Sequence, residues 1–289
     1  MHWSSNKVTS AEVAIRAGVS RSAVSRVFTP GASASEKMTK KVRIAAKELG
    51  YRPNVLARAM VSGQSRIIGL VVAYLNNQFY PEILEQLSNS LRHHGYHVLI
   101  FMTSRTEGCI DTVVDEILDY QVEGIVAASV ALSSDLSARC IAAGVPIVLF
   151  NRTQDDEAMS AVTTNNFGGG KKVAEFLLAA GHRKIGYIAG WEGASTQRDR
   201  EAGFTKTLNS AGIALYAREI GNFVMEEAKA ATLRMFANHP PEAIFVANDH
   251  MAIAVMDTLR NDLKLRSPQD VSVVGFDDAP AASWPPARP

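Results

Sequence analysis

Residues 17–28 read AGVSRSAVSRVF. On a helix, Val24, Val27 and Phe28 fall at i, i+3 and i+4 and share one apolar face. Arg21, Ser22, Ser25 and Arg26 take the opposite face. Just upstream, Thr9-Ser10-Ala11-Glu12 has the spacing of a capping box, which predicts a helix from Thr9 to near Ala17. That helix supplies Val13, Ala14 and Ala17 to the same interior. Gly18 breaks it, and Ser20 can cap a second helix running from Arg21 to about Phe28. The tight AGV turn sets the two at a steep angle, which is helix-turn-helix geometry, and Ala14, Ala17 and Ala23 allow close approach. Any short helical hairpin has a charged outside, and for Arg21 or Arg26 alone that explanation suffices. With the turn and the spacing, the outward face reads as one that enters a groove of DNA. There Arg can fork onto guanine O6/N7 and Ser can reach bases or phosphates.

Charge supports that reading. Of the 30 Lys/Arg and 29 Asp/Glu, 12 and 3 fall in residues 1–66, a balance of +9; the other 18 and 26 leave the remainder at −8. A basic head on an acidic body implies that the head meets a polyanion and the body does not. A third helix follows a loop at Pro30 and Gly31. Ser35 can cap it, Met38, Val42, Ala45 and Leu49 repeat along one face, and Gly50 ends it. Residues 51–65, YRPNVLARAMVSGQS, read as a basic linker holding one brief helix.

From Arg66 the texture changes. IIGLVVAY, HVLIF, GIVAASV, VPIVLF, KIGYIAG, AIFVAN and VSVVGF are short apolar runs. Amphipathic stretches near 81–94, 109–121, 168–180, 196–211, 225–238 and 249–262 lie between them. This alternation predicts parallel sheets covered by helices on both faces. With 47% hydrophobic residues among 289, the chain can bury two or three cores. No apolar run approaches a membrane span and no signal-peptide segment is visible, so a cytoplasmic location is expected. Cys109 and Cys140 lie far apart and read as ordinary buried thiols of a reduced compartment. The tail 279–289, APAASWPPARP, is expected to form no regular element.

At this point the sequence resembles a known family. VTSAEVAIRAGVSRSAVSRVF and SEKMTKKVRIAAKELGYRPNVLARAM look like the head of LacI/GalR repressors of bacteria. IIGLVVAYLNNQFYPEI, GVPIVLFNR, TTNNFGGGKKVAEFLLAAGHRKIGYIAG, FVANDHMAIAVM and VSVVGFDD are similar to its core. The resemblance runs from about Val8 to Asp278. It implies an α/β protein: a three-helix helix-turn-helix head at 1–50, a hinge at 51–65, and a two-lobed, doubly wound core similar to periplasmic sugar-binding proteins. The lobes would span 66–165 and 166–278, with the irregular tail at 279–289.

Carried over by position, the resemblance places Arg21, Ser22 and Arg26 at base edges in the major groove. Thr9, Ser20, Ser25 and Asn54 would mainly touch phosphates, which position the head while base contacts specify the site. In the hinge, Leu56 and Ala57 would also meet DNA. Met60 occupies the position of an apolar wedge, usually leucine, driven into the minor groove; a helix–helix contact is the competing reading for it. So short a helix cannot hold itself together in water, which suits a switch. For the effector, the resemblance points to Asn77, Phe79 and Tyr80 after the first strand, and to Asn151 and Arg152 after VPIVLF. Arg200, Phe223, Asn248 and Asp277 complete the set. Doubly wound sheets bind ligands at the carboxyl ends of their strands, where these residues fall. Planar aromatics with Asn, Asp and Arg suit a sugar or sugar acid. Arg200 could otherwise be a surface helix charge. Asp249 is expected to cap its helix and Asp278 to be structural.

Other constellations fail. NNFGGGKKV lacks the G-x-x-x-x-G-K-[ST] spacing of a phosphate loop and reads as a helix start where glycines permit close packing. His93, His94 and His97 cross a helix end and a strand start with no partner spacing for a metal. His182 lies in a helix-to-strand turn. Three tryptophans carry no signal. No nucleophile–base arrangement is present, so neither an enzyme nor a cofactor is expected. Family members continue well past the GFDD strand, whereas this chain ends in WPPARP. The resemblance therefore implies missing C-terminal elements, through a shortened product or a replaced tail. DNA binding would survive, with core stability, dimerisation and induction impaired. The expected function is a homodimeric, nucleoid-associated repressor on a palindromic operator, released or engaged by a small ligand. A sugar-binding protein without regulatory function, or a regulator that has lost its effector response, are the alternatives.

Overall fold

The computed structural model describes residues 8–29, 31–53, 64–73, 75–77, 79–103, 109–129, 134–154 and 159–283. Asn54, Leu56, Ala57 and Met60 lie outside the described residues. The chain divides between Arg66 and Ile67 into two compact units. The first contains helices α1 (Ser10–Ala17), α2 (Arg21–Phe28) and α3 (Glu36–Leu49). Their ends are set chemically. The Thr9 hydroxyl accepts the Glu12 amide, and the Thr9 amide donates to Glu12 Oε2 at 2.7 Å, a complete capping box. Gly18 turns the chain left-handed at φ 65°. Ser20 Oγ accepts the Ala23 amide at 3.2 Å to start α2, and Ser35 Oγ accepts the Met38 amide to start α3. Val13, Ala14, Val24, Val42, Ala45 and Ala46 form the buried centre of this unit. Met38, Val27, Phe28 and Tyr51 pack around it.

The second unit is a two-lobed α/β body. Its first lobe contains β1 (Ile67–Val72), α4 (Phe79–His93), β2 (His97–Met102), α5 (Cys109–Asp119), β3 (Gly124–Ala128), α6 (Ser134–Ala142), β4 (Ile147–Phe150) and β5 (Ser160–Val162). All strands run parallel, in the order β2-β1-β3-β4-β5. Strand β1 shows why its sequence is wholly apolar. Ile67 and Val71 enter one buried cluster, Leu70 and Val72 another, on opposite faces.

The second lobe contains α7 (Asn166–Ala179), β6 (Ile185–Ala189), α8 (Ser195–Ser210), β7 (Ala217–Ile220), α9 (Met225–Asn238), β8 (Ala243–Val246), α10 (Asp249–Asn261) and β9 (Ser272–Val274). Its parallel order is β7-β6-β8-β9. Tyr187, Phe204 and Phe245 are fully buried at its centre, with ring centroids 4.9 to 5.7 Å apart. Each such ring contributes a large apolar area to the core. The sequence did not anticipate α6, β5 or β7. The tail also differs from expectation: Pro280–Ser283 form one 3-10 turn, with the Ala282 amide bonded to the Ala279 carbonyl. Proline, whose fixed φ and missing N–H suit a first turn, opens it; residues 284–289 lie outside the described residues. Among the described residues no helix is long and apolar enough to cross a membrane.

The glycines of NNFGGGKKV serve helix packing. A Cβ on Gly170 would stand 2.0 Å from the Arg200 carbonyl oxygen, and one on Gly203 would stand 2.0 Å from that of Phe167. Helices α7 and α8 therefore touch backbone to backbone. Alanine at Gly203 must push them apart, at a cost of roughly 3 kcal/mol, the upper range for overpacking. Urea unfolding of Gly203→Ala measures this, and a loss below about 1 kcal/mol would show that the helices separate freely.

Candidate effector cleft and DNA-facing helix

The face of α2 opposite its buried residues presents Arg21, Ser22, Ser25 and Arg26, all exposed, while Ala23 and Val24 are buried. The caps have a second claim on two of the predicted contacts. Ser20 Oγ is engaged with the Ala23 amide and Ser22 Oγ, and Thr9 Oγ1 with Glu12. These hydroxyls are thus held at helix N-termini, where unsatisfied amides attract anions.

In the core, one cleft between the lobes is lined by Asn77, Phe79, Tyr80, Asn151, Arg152, Arg200, Phe223, Asn248 and Asp277. All nine residues singled out for an effector are thereby brought together. Ser129 and Thr196 also line it, and the sequence reading missed both. The cleft is narrow, with a cavity volume of about 10 Å³, and is partly open to solvent. Its residues follow β1, β3, β4, β6, β7, β8 and β9 at their carboxyl ends. Four of them leave the strand in the left-handed region: Ser129 (φ 56°), Asn151 (61°), Phe223 (59°) and Asp277 (114°). Non-glycine residues adopt it rarely, each at a cost of about 1–3 kcal/mol, and such strain concentrates at ligand sites.

Side chains from the first lobe form a short polar chain. Tyr80 Oη and Ser129 Oγ are hydrogen-bonded. Asn151 Nδ2 donates to Ser129 Oγ at 3.3 Å and to Tyr80 Oη at 3.4 Å. Asn77 is buried, and its Oδ1 accepts the Phe79 amide at 3.1 Å. In the second lobe Arg200 is 3% exposed, so it is no surface charge. Its Nε donates to Asn166 Oδ1 at 2.8 Å, Nη1 to the Ala247 carbonyl at 2.5 Å, and Nη2 to Asp277 Oδ1 at 3.2 Å. The guanidinium lies 3.8 Å from the centre of the Phe276 ring. Asn166 is oriented for this by donating to Thr163 Oγ1 and the Thr164 carbonyl. Contacts that reach from lobe to lobe at the cleft include the Thr153 amide donating to Ser195 Oγ at 2.9 Å and Arg152 stacking over Trp191 at 5.1 Å. Trp191 follows the strand of KIGYIAG directly, and that position was the signal available for it.

Asn248, not Asp249, caps α10: its Oδ1 accepts the Met251 amide at 3.0 Å. Asp249, the first residue of α10, instead reaches the turn after β9. Burial pushes the Asp249 carboxyl above its usual range, against the backbone amides it accepts. Burial likewise pushes Asp277 up to about 7; the Arg200 charge opposes this and the Asp249 charge adds to it. Among the described residues no group of His, Cys, Asp and Glu could hold a metal ion. His93 and His94 are each bonded through Nδ1 to a carbonyl of α4.

These geometries coincide with two families of sequence. Residues 9–54 match the model for bacterial regulatory proteins of the lacI family. Residues 65–283 match periplasmic binding proteins and the sugar binding domain of the LacI family. The chain is 30% identical to the ribose operon repressor of Escherichia coli strain K12 over 283 residues, 96% of this chain and 84% of that protein. It is 32% identical to the HTH-type transcriptional regulator GntR of Pseudomonas aeruginosa over 280 residues, covering 94% and 80%. Among solved structures it is similar to the lac repressor dimer bound to operator and the anti-inducer ONPF, with a TM-score of 0.86 at 29% identity, covering 96% and 84%. A complex of the transcriptional regulator CelR with cellobiose gives a TM-score of 0.68 at 29% identity, covering 94% and 83%. The chain belongs to the LacI family of bacterial regulators. It is a DNA-binding transcriptional repressor with a ligand-binding core.

The raised Asp277 carboxyl has a consequence for stability. Between about pH 4, where an unfolded aspartate releases its proton, and about pH 7, the folded chain retains one that the unfolded chain has lost. Its contribution is present in full below that window and is lost as pH rises through it. Asp249 acts in the same direction, so the comparison must be with Asp277→Asn. Urea unfolding across this range is expected to show a decline in wild type that is flatter in the variant. Equal slopes would remove Asp277 from the account.

Proposed function

We propose that the protein represses transcription as a homodimer on a roughly palindromic operator, under control of a sugar or sugar acid bound between the lobes. Its place of action is the cytoplasm, at the nucleoid. The observation that carries this reading is the convergence of nine residues, from Asn77 to Asp277, on one cleft at the carboxyl ends of the strands. Phe79, Tyr80 and Phe223 supply aromatic faces there, and Asn77, Asn151 and Asn248 supply amides. Such a site fits a polyol better than a flat apolar ligand. The ribose operon repressor and the CelR–cellobiose complex support this class.

For the head, Arg21, Ser22 and Arg26 read base edges, while Thr9, Ser20, Ser25 and Asn54 mainly hold phosphates. The hinge spans 51–65, and within it Leu56 and Ala57 meet DNA and Met60 enters the minor groove. In this reading the domains are 1–50, 51–65, 66–165 and 166–278, followed by the tail 279–289. Two heads about a two-fold axis then read two half-sites.

Fluorescence anisotropy on a duplex selected from a random library tests the DNA reading. Affinity is expected to fall steeply with salt as condensed counterions are released. Arg21→Ala and Arg26→Ala should each weaken the selected duplex by about 5- to 150-fold, corresponding to about 1–3 kcal/mol per bidentate contact. Arg234→Ala, on an exposed face of α9, should not. A chain without DNA affinity at low salt would be a sugar-binding protein instead. Thermal shift with D-ribose, D-gluconate and cellobiose tests the effector class.

A further inference from the structure

The residue that presents Asp277 to the cleft is not itself in the cleft. Strand β9 ends at Val274, and the chain then makes a turn in which Asp277 (φ 114°) and Asp278 (φ 55°) are consecutively left-handed. Two adjacent non-glycine residues in that region do not hold such a conformation unaided. Asp249, from the start of α10, fastens the turn at both ends. Its carboxylate Oδ2 accepts the Ala279 amide at 2.8 Å, and its own amide donates to the Phe276 carbonyl at 2.8 Å. Between these two bonds lie Asp277 and Asp278. The space for the carboxylate is made by Gly275, where a Cβ would stand 2.1 Å from Asp249 Oδ1. Asp249 is 7% exposed, so this carboxylate is committed to the turn rather than to solvent.

We propose that Asp249 is a positioning residue for effector binding: its carboxylate locks the 275–279 turn, and the lock holds Asp277 against Arg200 at the cleft. This rests on the reading of the cleft as the effector site. The charged groups facing the turn are Arg200 from α8, Asp249 from α10, and Asp278 within the turn itself. Asparagine at 249 keeps an oxygen that can accept the Ala279 amide and removes only the charge. Alanine removes the acceptor. The two variants therefore separate the lock from its charge. Gly275→Ala supplies a third route, because its Cβ would displace the carboxylate without deleting it.

The experiment uses the full chain, with amide hydrogen exchange at Ala279 and carbon-13 titration of the aspartate carboxyls, the Asp277 signal being assigned with Asp277→Asn. In Asp249→Asn the Ala279 amide should stay protected while Asp277 titrates lower than in wild type, because a neighbouring negative charge is gone. In Asp249→Ala and in Gly275→Ala the protection at Ala279 should fall at least tenfold, and Asp277 should titrate in the ordinary carboxylate range. Adding Gly275→Ala to Asp249→Ala should change neither readout further, as expected for two residues acting through one contact. Calorimetry with D-ribose and D-gluconate should show at least tenfold weaker binding for Asp249→Ala, with Asp249→Asn within about threefold of wild type. Unchanged Ala279 protection and unchanged Asp277 titration in Asp249→Ala would overturn the proposal. So would loss of Ala279 protection in Asp249→Asn equal to that in Asp249→Ala. If wild type binds neither sugar, the sugar class of effector fails, while exchange and titration still decide whether Asp249 positions Asp277.

Discussion

A guanidinium withdrawn almost wholly from water must find partners for its donors, and Arg200 is such a group. Its partners come from three places in the chain: Asn166 at the start of α7, Ala247 after β8, and Asp277 after β9. Phe276 covers its face. One side chain on α8 thus fixes the ends of three other segments. The requirement reaches back to the glycines. Asn166 comes within 2.8 Å of Arg200 because α7 and α8 cross with Gly170 against the Arg200 carbonyl and Gly203 against that of Phe167. A side chain at either position would separate the helices and leave a buried charge short of a partner, which costs more than the packing defect alone.

The same logic accounts for where strain is kept. Both lobes run their strands in the same relative order, with the second strand outside the first and the later ones on its other side. Parallel strands put their carboxyl ends on one edge, and the loops leaving that edge are the ones that meet across the cleft. Ser129, Asn151, Phe223 and Asp277 turn left-handed at that edge. The central strands below them, β1, β3, β6 and β8, are apolar and largely buried, and are rigid enough to impose such conformations. A loop on a looser scaffold would relax instead.

Much of this was legible in the sequence, for identifiable reasons. The capping box at Thr9, the Ser20 and Ser35 caps and the glycine at 18 are local chemistry, and they set the helix ends of the head. Central strands such as IGYIA and AIFV are buried along their whole length and so read as unbroken apolar runs. Strand β7, AREI, lies at a sheet edge with its residues only partly covered or exposed, and β5, SAV, is an exposed three-residue edge. Neither carries the pattern by which a buried strand is recognised. The nine cleft residues were found through family motifs and strand-end position. Ser129 and Thr196 had neither an aromatic ring nor a charge to draw notice. The reach of Asp249 to Ala279, across 30 residues, is a tertiary fact: a helix-start aspartate reads locally as a cap, and only the fold shows that Asn248 already fills that role.

Control by a ligand requires that the two lobes be held together neither too firmly nor too weakly. Two contacts between them are of the modest kind. A hydrogen bond such as Thr153–Ser195 is worth about 1 kcal/mol net, and a partly exposed cation–π stack such as Arg152–Trp191 about 0.5–1 kcal/mol. Their sum is small beside the roughly 5.5 kcal/mol of differential binding that carries a two-state equilibrium from one side to the other. A ligand that touches Asn151 and Arg152 on one lobe and Arg200 and Asp277 on the other has groups on both sides from which to draw that difference. The second lobe is held stiff by Arg200 and the glycine crossing. The free energy a ligand supplies therefore goes into the relative geometry of the lobes rather than into deforming the second.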